Sequence, residues 1–224
     1  MKEKSTIRYI LFDAANTLIH KPTLWPAIIS VLKKYGYDIC EEKLQLNHKL
    51  LSEYFHFPDR TSETFYSQFN TDLLLSLGII PTDELLKDLF SQCSYLPWSK
   101  FNDTAWLNSV DIKLGVISNF NNNLNLLLNN LFGDVFSDII VSEIVALRKP
   151  SPEFYRHALQ QIDESAEHIL YIGDSLKLDM LPAGDLGMQV RLIDRINAYS
   201  AYPYAISSLE VIPTLISAQK ELTI

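Results

Sequence analysis

Ile7-Arg8-Tyr9-Ile10-Leu11-Phe12-Asp13-Ala14-Ala15-Asn16-Thr17-Leu18 is the stretch on which the reading of the chain turns. A largely apolar run stops abruptly at a carboxylate, the pattern of a strand buried on both faces that delivers a polar group at its carboxyl end. Runs of the same kind recur at residues 113–117, 138–141, 169–172 and 189–193, so together with 7–12 they predict five buried strands. Helical patterns separate the later four, at 124–131, 152–161 and 178–186. The second of these opens on Ser151-Pro152, a capping hydroxyl followed by proline at the first helical position. Strands alternating with helices of this length predict right-handed βαβ units in an α/β fold, a doubly wound, Rossmann-like parallel sheet. Residues 207–210 are expected to form a last short edge element and 213–222 a closing helix.

The stretch 20–97 breaks that rhythm, since it carries Leu, Tyr and Phe at helical spacing and no strand-like run. Ile28, Ile29, Leu32 and Tyr35 share one helical face, as do Leu73, Leu74 and Leu77, and Leu85, Leu86 and Leu89. Pro58, Pro81 and Pro97 punctuate the segment. It is read as an inserted helical domain, 20–97, with 1–19 and 98–224 forming a discontinuous α/β core domain. The aromatic residues Tyr54, Phe55, Phe57, Phe65, Tyr66 and Phe69 are expected to fill the core of the insertion, and Glu41-Glu42 to face water.

Composition narrows the function. With 224 residues, 47% of them hydrophobic, the chain has enough apolar mass for one substantial core and a smaller second domain. The net charge of −8 offers no basic footprint for nucleic acid or an anionic membrane surface. Cys40 and Cys93 are far apart and lack ligand spacing, which argues against a zinc site or disulfide framework and fits a reducing cytoplasm. The apolar run at 9–12 is too short for a signal peptide or membrane span, so a soluble, cytoplasmic protein is expected.

Open α/β sheets bind ligands beyond the carboxyl ends of their strands. The residues placed there are Asp13, then Ser118-Asn119, then Lys149-Pro150 after a short link, and Gly173-Asp174-Ser175 with Asp179 five residues beyond Asp174. Each has an ordinary structural use when taken alone. Asp13 and Asp174 could cap turns, Ser118 and Asn119 could cap the helix that follows, and Lys149 and Asp179 could face solvent. Together, carboxylates, a lysine and a hydroxyl at successive strand ends form a set suited to Mg²⁺ and a phosphoryl group.

The segments FDAANTL, VISN, RKPSPEF and GDSLKLD, in this order, resemble the four motifs of the haloacid dehalogenase superfamily of aspartate-nucleophile hydrolases. The resemblance covers residues 7–18 and 98–224, and the insertion resembles the helical cap that one branch carries between the first and second motifs. ISNF, RKPSPEFYRHAL and GDSLKLDMLPAGDLGM look closest to phosphatase-like members of that branch. What the resemblance implies is a hydrolase of a small phosphorylated metabolite with Asp13 as nucleophile. Mg²⁺ would be held by Asp13, the Ala15 backbone carbonyl and Asp174, and phosphoryl oxygens by Ser118, Asn119 and Lys149. Asp179 would orient Lys149 or a metal-bound water.

The family pattern DxDGT is departed from twice. Asn16 replaces glycine, a mild change because Asn tolerates the left-handed conformation. Ala15 replaces the second Asp, which in the family's phosphatases protonates the leaving alcohol and activates water, help worth roughly 10²–10⁴ in rate. Three readings follow. A phosphatase could act slowly or borrow an acid/base from His20, His56, Asp59 or Glu63. A carbon–phosphorus or carbon–halogen hydrolase needs no proton from position 15, although the phosphonatase type also needs a Schiff-base lysine, for which Lys33, Lys34, Lys43 and Lys49 are candidates by type. A binding protein could keep the metal site and lose turnover.

Overall fold

The computed structural model describes residues 6–221, and the expected chain ends at 1–5 and 222–224 lie outside the described residues. The chain divides into two compact units, Met1–His20 with Lys100–Ile224, and Lys21–Ser99.

The first unit is built on a parallel sheet. In chain order its strands are β1 (Tyr9–Phe12), β4 (Lys113–Ser118), β5 (Asp138–Val141), β6 (Ile169–Gly173), β7 (Gln189–Ile193) and β8 (Ala205–Ile206), while β2 (Ile19–His20) and β3 (Ser99–Lys100) form a separate two-stranded sheet. The order across the main sheet is β5-β4-β1-β6-β7-β8, and every neighbouring pair is parallel. The chain thus leaves β1 toward β4 and β5 and then crosses to β6 on its other side, which makes the carboxyl end of β1 the topological switch point.

Tyr9, Leu11, Ile117, Ile140, Tyr171 and Leu192 on one face pack with Phe154, Tyr155, Ala158 and Ile162 of α7 (Pro152–Ile162). On the opposite face Phe12 meets Trp106, which belongs to a 3₁₀ turn at Asn102–Asn108. All four residues of β1 are buried, as expected for a central strand covered on both sides. Helix α5 (Leu124–Phe132) links β4 to β5, and the short α6 (Ser142–Val145) follows β5. Ser151 caps α7 by accepting the Glu153 N–H, with Pro152 in the first turn, as the sequence predicts.

One sequence expectation is refined and one corrected. The helix expected at 178–186 is present, but it opens with a π-helical turn at Leu176–Met180 that runs directly into the short α8 (Leu181–Asp185). Pro182, unable to donate a backbone hydrogen bond, lies in the first turn of α8. The edge element is not at 207–210 but is β8, and Ser208 instead caps a 3₁₀ turn at Leu209–Val211 that leads into α9 (Ile212–Glu221).

The second unit is helical: α1 (Leu24–Lys34), α2 (Glu41–Ser52), α3 (Glu63–Ser76) and α4 (Asp83–Cys93). Its core joins Ile28 and Leu32 of α1, Leu44 of α2, Phe69, Leu73 and Leu74 of α3, and Leu85 and Leu89 of α4, with Phe55, Phe57 and Phe65 packed against it. Ser62 and Thr82 cap α3 and α4 by accepting the N–H groups of Phe65 and Leu85. Among the described residues no helix is long and apolar enough to cross a membrane.

Candidate active site

Asp13 follows β1 directly, and its backbone N–H still bonds to the Ile172 carbonyl of the neighbouring strand at 2.8 Å. The chain then turns through Asn16, which adopts the left-handed conformation (φ 59°) anticipated for a residue in the glycine position. Ala14 O accepts from both Leu18 N and Ile19 N, which closes the turn. The carboxylate of Asp13 is thereby fixed at the end of the central strand, where neighbouring strands also terminate.

Three side chains approach it. Lys149 Nζ donates to Asp13 Oδ1 at 2.7 Å, Ser118 Oγ donates to the same oxygen at 3.2 Å, and Thr17 Oγ1 lies 3.5 Å from Oδ2. Lys149 is buried and donates equally to Asp179 Oδ1, at 2.7 Å, so one ammonium bridges two carboxylates. Burial works to lower the Lys149 pKa, but Asp13 and Asp179 outweigh it and hold the amine above its ordinary value. Burial, together with the charges of Asp179 and Asp174, pushes the Asp13 carboxyl up to about 7 in the metal-free protein, against the opposing pull of Lys149.

Asp174 follows β6, and one oxygen from each of Asp13, Asp174 and Asp179 lies within 4.8 Å of the others. Hard carboxylate oxygens at this spacing suit a divalent cation such as Mg²⁺. The three are not equivalent. Asp179 Oδ1 already accepts from Lys149 and from Tyr171 Oη at 2.8 Å, and its Oδ2 accepts from Ser175 N at 3.0 Å. Gly173 allows this close approach, since a Cβ there would stand 2.4 Å from Asp179 Cγ.

Asn119 is brought to the same place, but its carboxamide is turned to the backbone of Lys149, donating to the carbonyl and accepting the N–H. His20 belongs to the same unit; its ring stacks on Phe101 with centroids 4.1 Å apart and planes inclined by 11°. Burial first, and then the charge of Arg195, lowers the imidazole pKa, against the opposing pull of Asp103. His56, Asp59 and Glu63 belong to the helical unit, where Glu63 opens α3 and His56 lies exposed in the link between α2 and α3.

Sequence reasoning missed Thr17, Tyr171, Tyr155 and the pair Arg195–Asp103. Arg195 donates to Asp103 through both terminal nitrogens, reaches the Thr17 carbonyl at 3.0 Å, and lies 3.8 Å over the Phe101 ring. Tyr171 carried a signal, because a phenol inside an otherwise apolar strand must find a hydrogen-bond partner.

A doubly wound α/β unit with clustered carboxylates and a buried lysine at its switch point defines the class. The chain belongs to the haloacid dehalogenase-like hydrolase family, whose model matches residues 7–187. A segment of 49 residues is 41% identical to a glyceraldehyde 3-phosphate phosphatase of Methanocaldococcus jannaschii, and this segment spans 22% of each chain. The fold is similar to that of YfnB from Bacillus subtilis, a structure bound to magnesium (TM-score 0.63, 19% identity, 95% of this chain and 100% of that one). It is equally similar to L-2-haloacid dehalogenase from Xanthobacter autotrophicus (TM-score 0.63, 16% identity, 95% and 99%). At these identities the two structures speak to the fold alone.

Proposed function

We propose that this chain is a Mg²⁺-dependent phosphatase of a small phosphorylated metabolite, acting through an aspartyl-phosphate on Asp13. The observation that carries the reading is the double hold on Asp13 Oδ1, by Lys149 Nζ at 2.7 Å and Ser118 Oγ at 3.2 Å, beside Asp174. The phosphatase named among the relatives supports the substrate class.

Asp13 attacks phosphorus through one carboxylate oxygen. The bond from phosphorus to the leaving alcohol breaks, and water then cleaves the acyl phosphate to regenerate the carboxylate. Ser118 Oγ and Lys149 Nζ, which both donate to Asp13, would hold phosphoryl oxygens as charge develops on them. Asp13, Asp174 and the Ala15 carbonyl would hold Mg²⁺, which supplies charge neutralisation for the phosphoryl group. Asp179 serves Lys149, because its oxygens already accept other donors. Asn119 serves Lys149 as well, through the backbone.

Ala15 supplies no acid/base. Esters with good leaving groups should therefore be favoured, and His20, His56, Asp59 and Glu63 are the side chains to test as substitutes. Ala15 also admits a second reading, a carbon–phosphorus or carbon–halogen hydrolase. Two of the four candidate lysines give the phosphonatase form little support: Lys34 is ion-paired with Asp88 at 2.5 Å and its amine pKa is raised, and Lys33 is largely exposed. Lys49 is mostly buried, 3.9 Å from Glu53. Mg²⁺-dependent release of nitrophenol from p-nitrophenyl phosphate, abolished by Asp13→Asn, is the expected result. Release of halide from a 2-haloacid, or of phosphate from phosphonoacetaldehyde, with no ester turnover would select the second reading. Absence of turnover on all three would leave a binding protein.

A further inference from the structure

Asp179 is anchored by more than the lysine it pairs with. Tyr171, in the centre of β6, is fully buried and donates its hydroxyl to the same Asp179 oxygen that Lys149 contacts, at 2.8 Å against 2.7 Å. The Ser175 N–H holds the second carboxylate oxygen from the start of the π-helical turn. The Tyr171 ring also lies beneath the ammonium, with Lys149 Nζ 5.5 Å from its centroid. Tyr155 of α7 packs edge-on against that ring, 5.6 Å between centroids, and donates to the Leu178 carbonyl of the same turn.

A lysine ammonium sits on a flexible four-carbon stem, so its position is set by the groups that receive its protons. We propose that Tyr171 is a positioning residue: by occupying one acceptor site on Asp179 it stops that carboxylate from rotating, and the fixed carboxylate holds the Lys149 ammonium against Asp13. The proposal rests on the reading of Asp13 and Lys149 as the reacting pair. Tyr171→Phe keeps the ring and its packing while removing the phenolic donor. The buried Asp179 oxygen then loses one of its donors, and the ammonium gains freedom.

The test compares wild type, Tyr171→Phe, Asp179→Asn and the double variant on p-nitrophenyl phosphate with Mg²⁺. In parallel, the ammonium signal of Lys149 is followed by NMR in protein labelled with ¹⁵N-lysine and assigned with Lys149→Met. Tyr171→Phe should lower kcat about tenfold, the low end for a lost hydrogen bond to a charged group, with KM moved by less than about threefold. It should cost nothing further in the Asp179→Asn background. The Lys149 ammonium signal should broaden as its protons exchange faster. Wild-type kcat and an unchanged lysine signal in Tyr171→Phe would overturn the proposal, as would a loss that adds fully to that of Asp179→Asn. If the wild-type protein turns over no ester, the phosphatase reading fails by itself, and the lysine signal alone decides the role of Tyr171.

Discussion

Asn119 and Lys149 grip each other through two reciprocal hydrogen bonds, Asn119 Nδ2 to the Lys149 carbonyl at 3.1 Å and Lys149 N–H to Asn119 Oδ1 at 2.8 Å. A side-chain amide here does the work of a neighbouring strand, tying the loop after β4 to the lysine that follows β5. Asn119→Ala breaks both bonds and should lower stability by about 1–3 kcal/mol in urea melts. Turnover of p-nitrophenyl phosphate should fall as Lys149 loosens. Asn119→Asp keeps the acceptor for the Lys149 N–H but sets a carboxylate oxygen against the Lys149 carbonyl, so it should not recover the loss.

Ala15→Asp restores the side chain that Ala15 lacks. Alkyl phosphates, whose leaving group needs a proton, should gain roughly 10²-fold or more in kcat, whereas nitrophenyl phosphate should gain far less. Equal gains on both substrates would show that protonation of the leaving group is not what limits this protein.

Protons and a divalent cation compete for Asp13. With burial, Asp179 and Asp174 holding its carboxyl up to about 7 in the absence of metal, Mn²⁺ or Mg²⁺ affinity should be level above that pH. Below it, affinity should fall by about tenfold per pH unit, since each bound cation must displace one proton. Calorimetric titration at several pH values measures this directly, and Asp174→Asn should weaken binding at every pH.

His48 provides an independent pH dependence in the helical unit. Its ring packs edge-on between Trp25 at 5.1 Å and Phe69 at 4.9 Å, and burial, then Lys49, pushes the imidazole pKa down to about 4 from 6.5. The unfolded chain takes up a proton between those values that the folded unit refuses. The stabilisation is therefore complete above about pH 6.5 and drains away as the pH falls toward 4, by up to about 3 kcal/mol. In melts at pH 7 and pH 5, His48→Phe should show a smaller loss on acidification than wild type.

Arg195→Met removes a guanidinium that joins Asp103, the Thr17 carbonyl and the Phe101 ring. Asp103 keeps Ser208 Oγ and Leu209 N as donors but loses its counter-charge, so a cost of about 2–4 kcal/mol is expected by denaturant titration. Arg195→Lys should recover only part of it, because an ammonium cannot reproduce the bidentate and stacked geometry.

The five strands were legible because residues buried on both faces leave an unbroken apolar run, and the family's four motifs lie at the ends of those runs or just beyond. Asn16 was legible for a local reason, its tolerance of positive φ. The two-residue β8 was not, since two residues carry no period. The turn at Leu176–Met180 reads as ordinary helix until its carboxylate is seen to face Lys149 and Tyr171. Tyr171 and Arg195 escaped because their roles depend on partners that pattern does not connect: Arg195 lies 92 residues from Asp103 and 178 from Thr17. Asn119 was placed at the right strand end, but only its rotamer reveals that its side chain serves the lysine.

Gly173 has no side chain to offer, yet a methyl group there would collide with Asp179. In a saturation scan of this chain, position 173 should therefore read as an active-site position, with the profile of Asp179 and not that of a strand residue. A damaging variant at Gly173 would say nothing about glycine chemistry. It would report where the neighbouring carboxylate has to be.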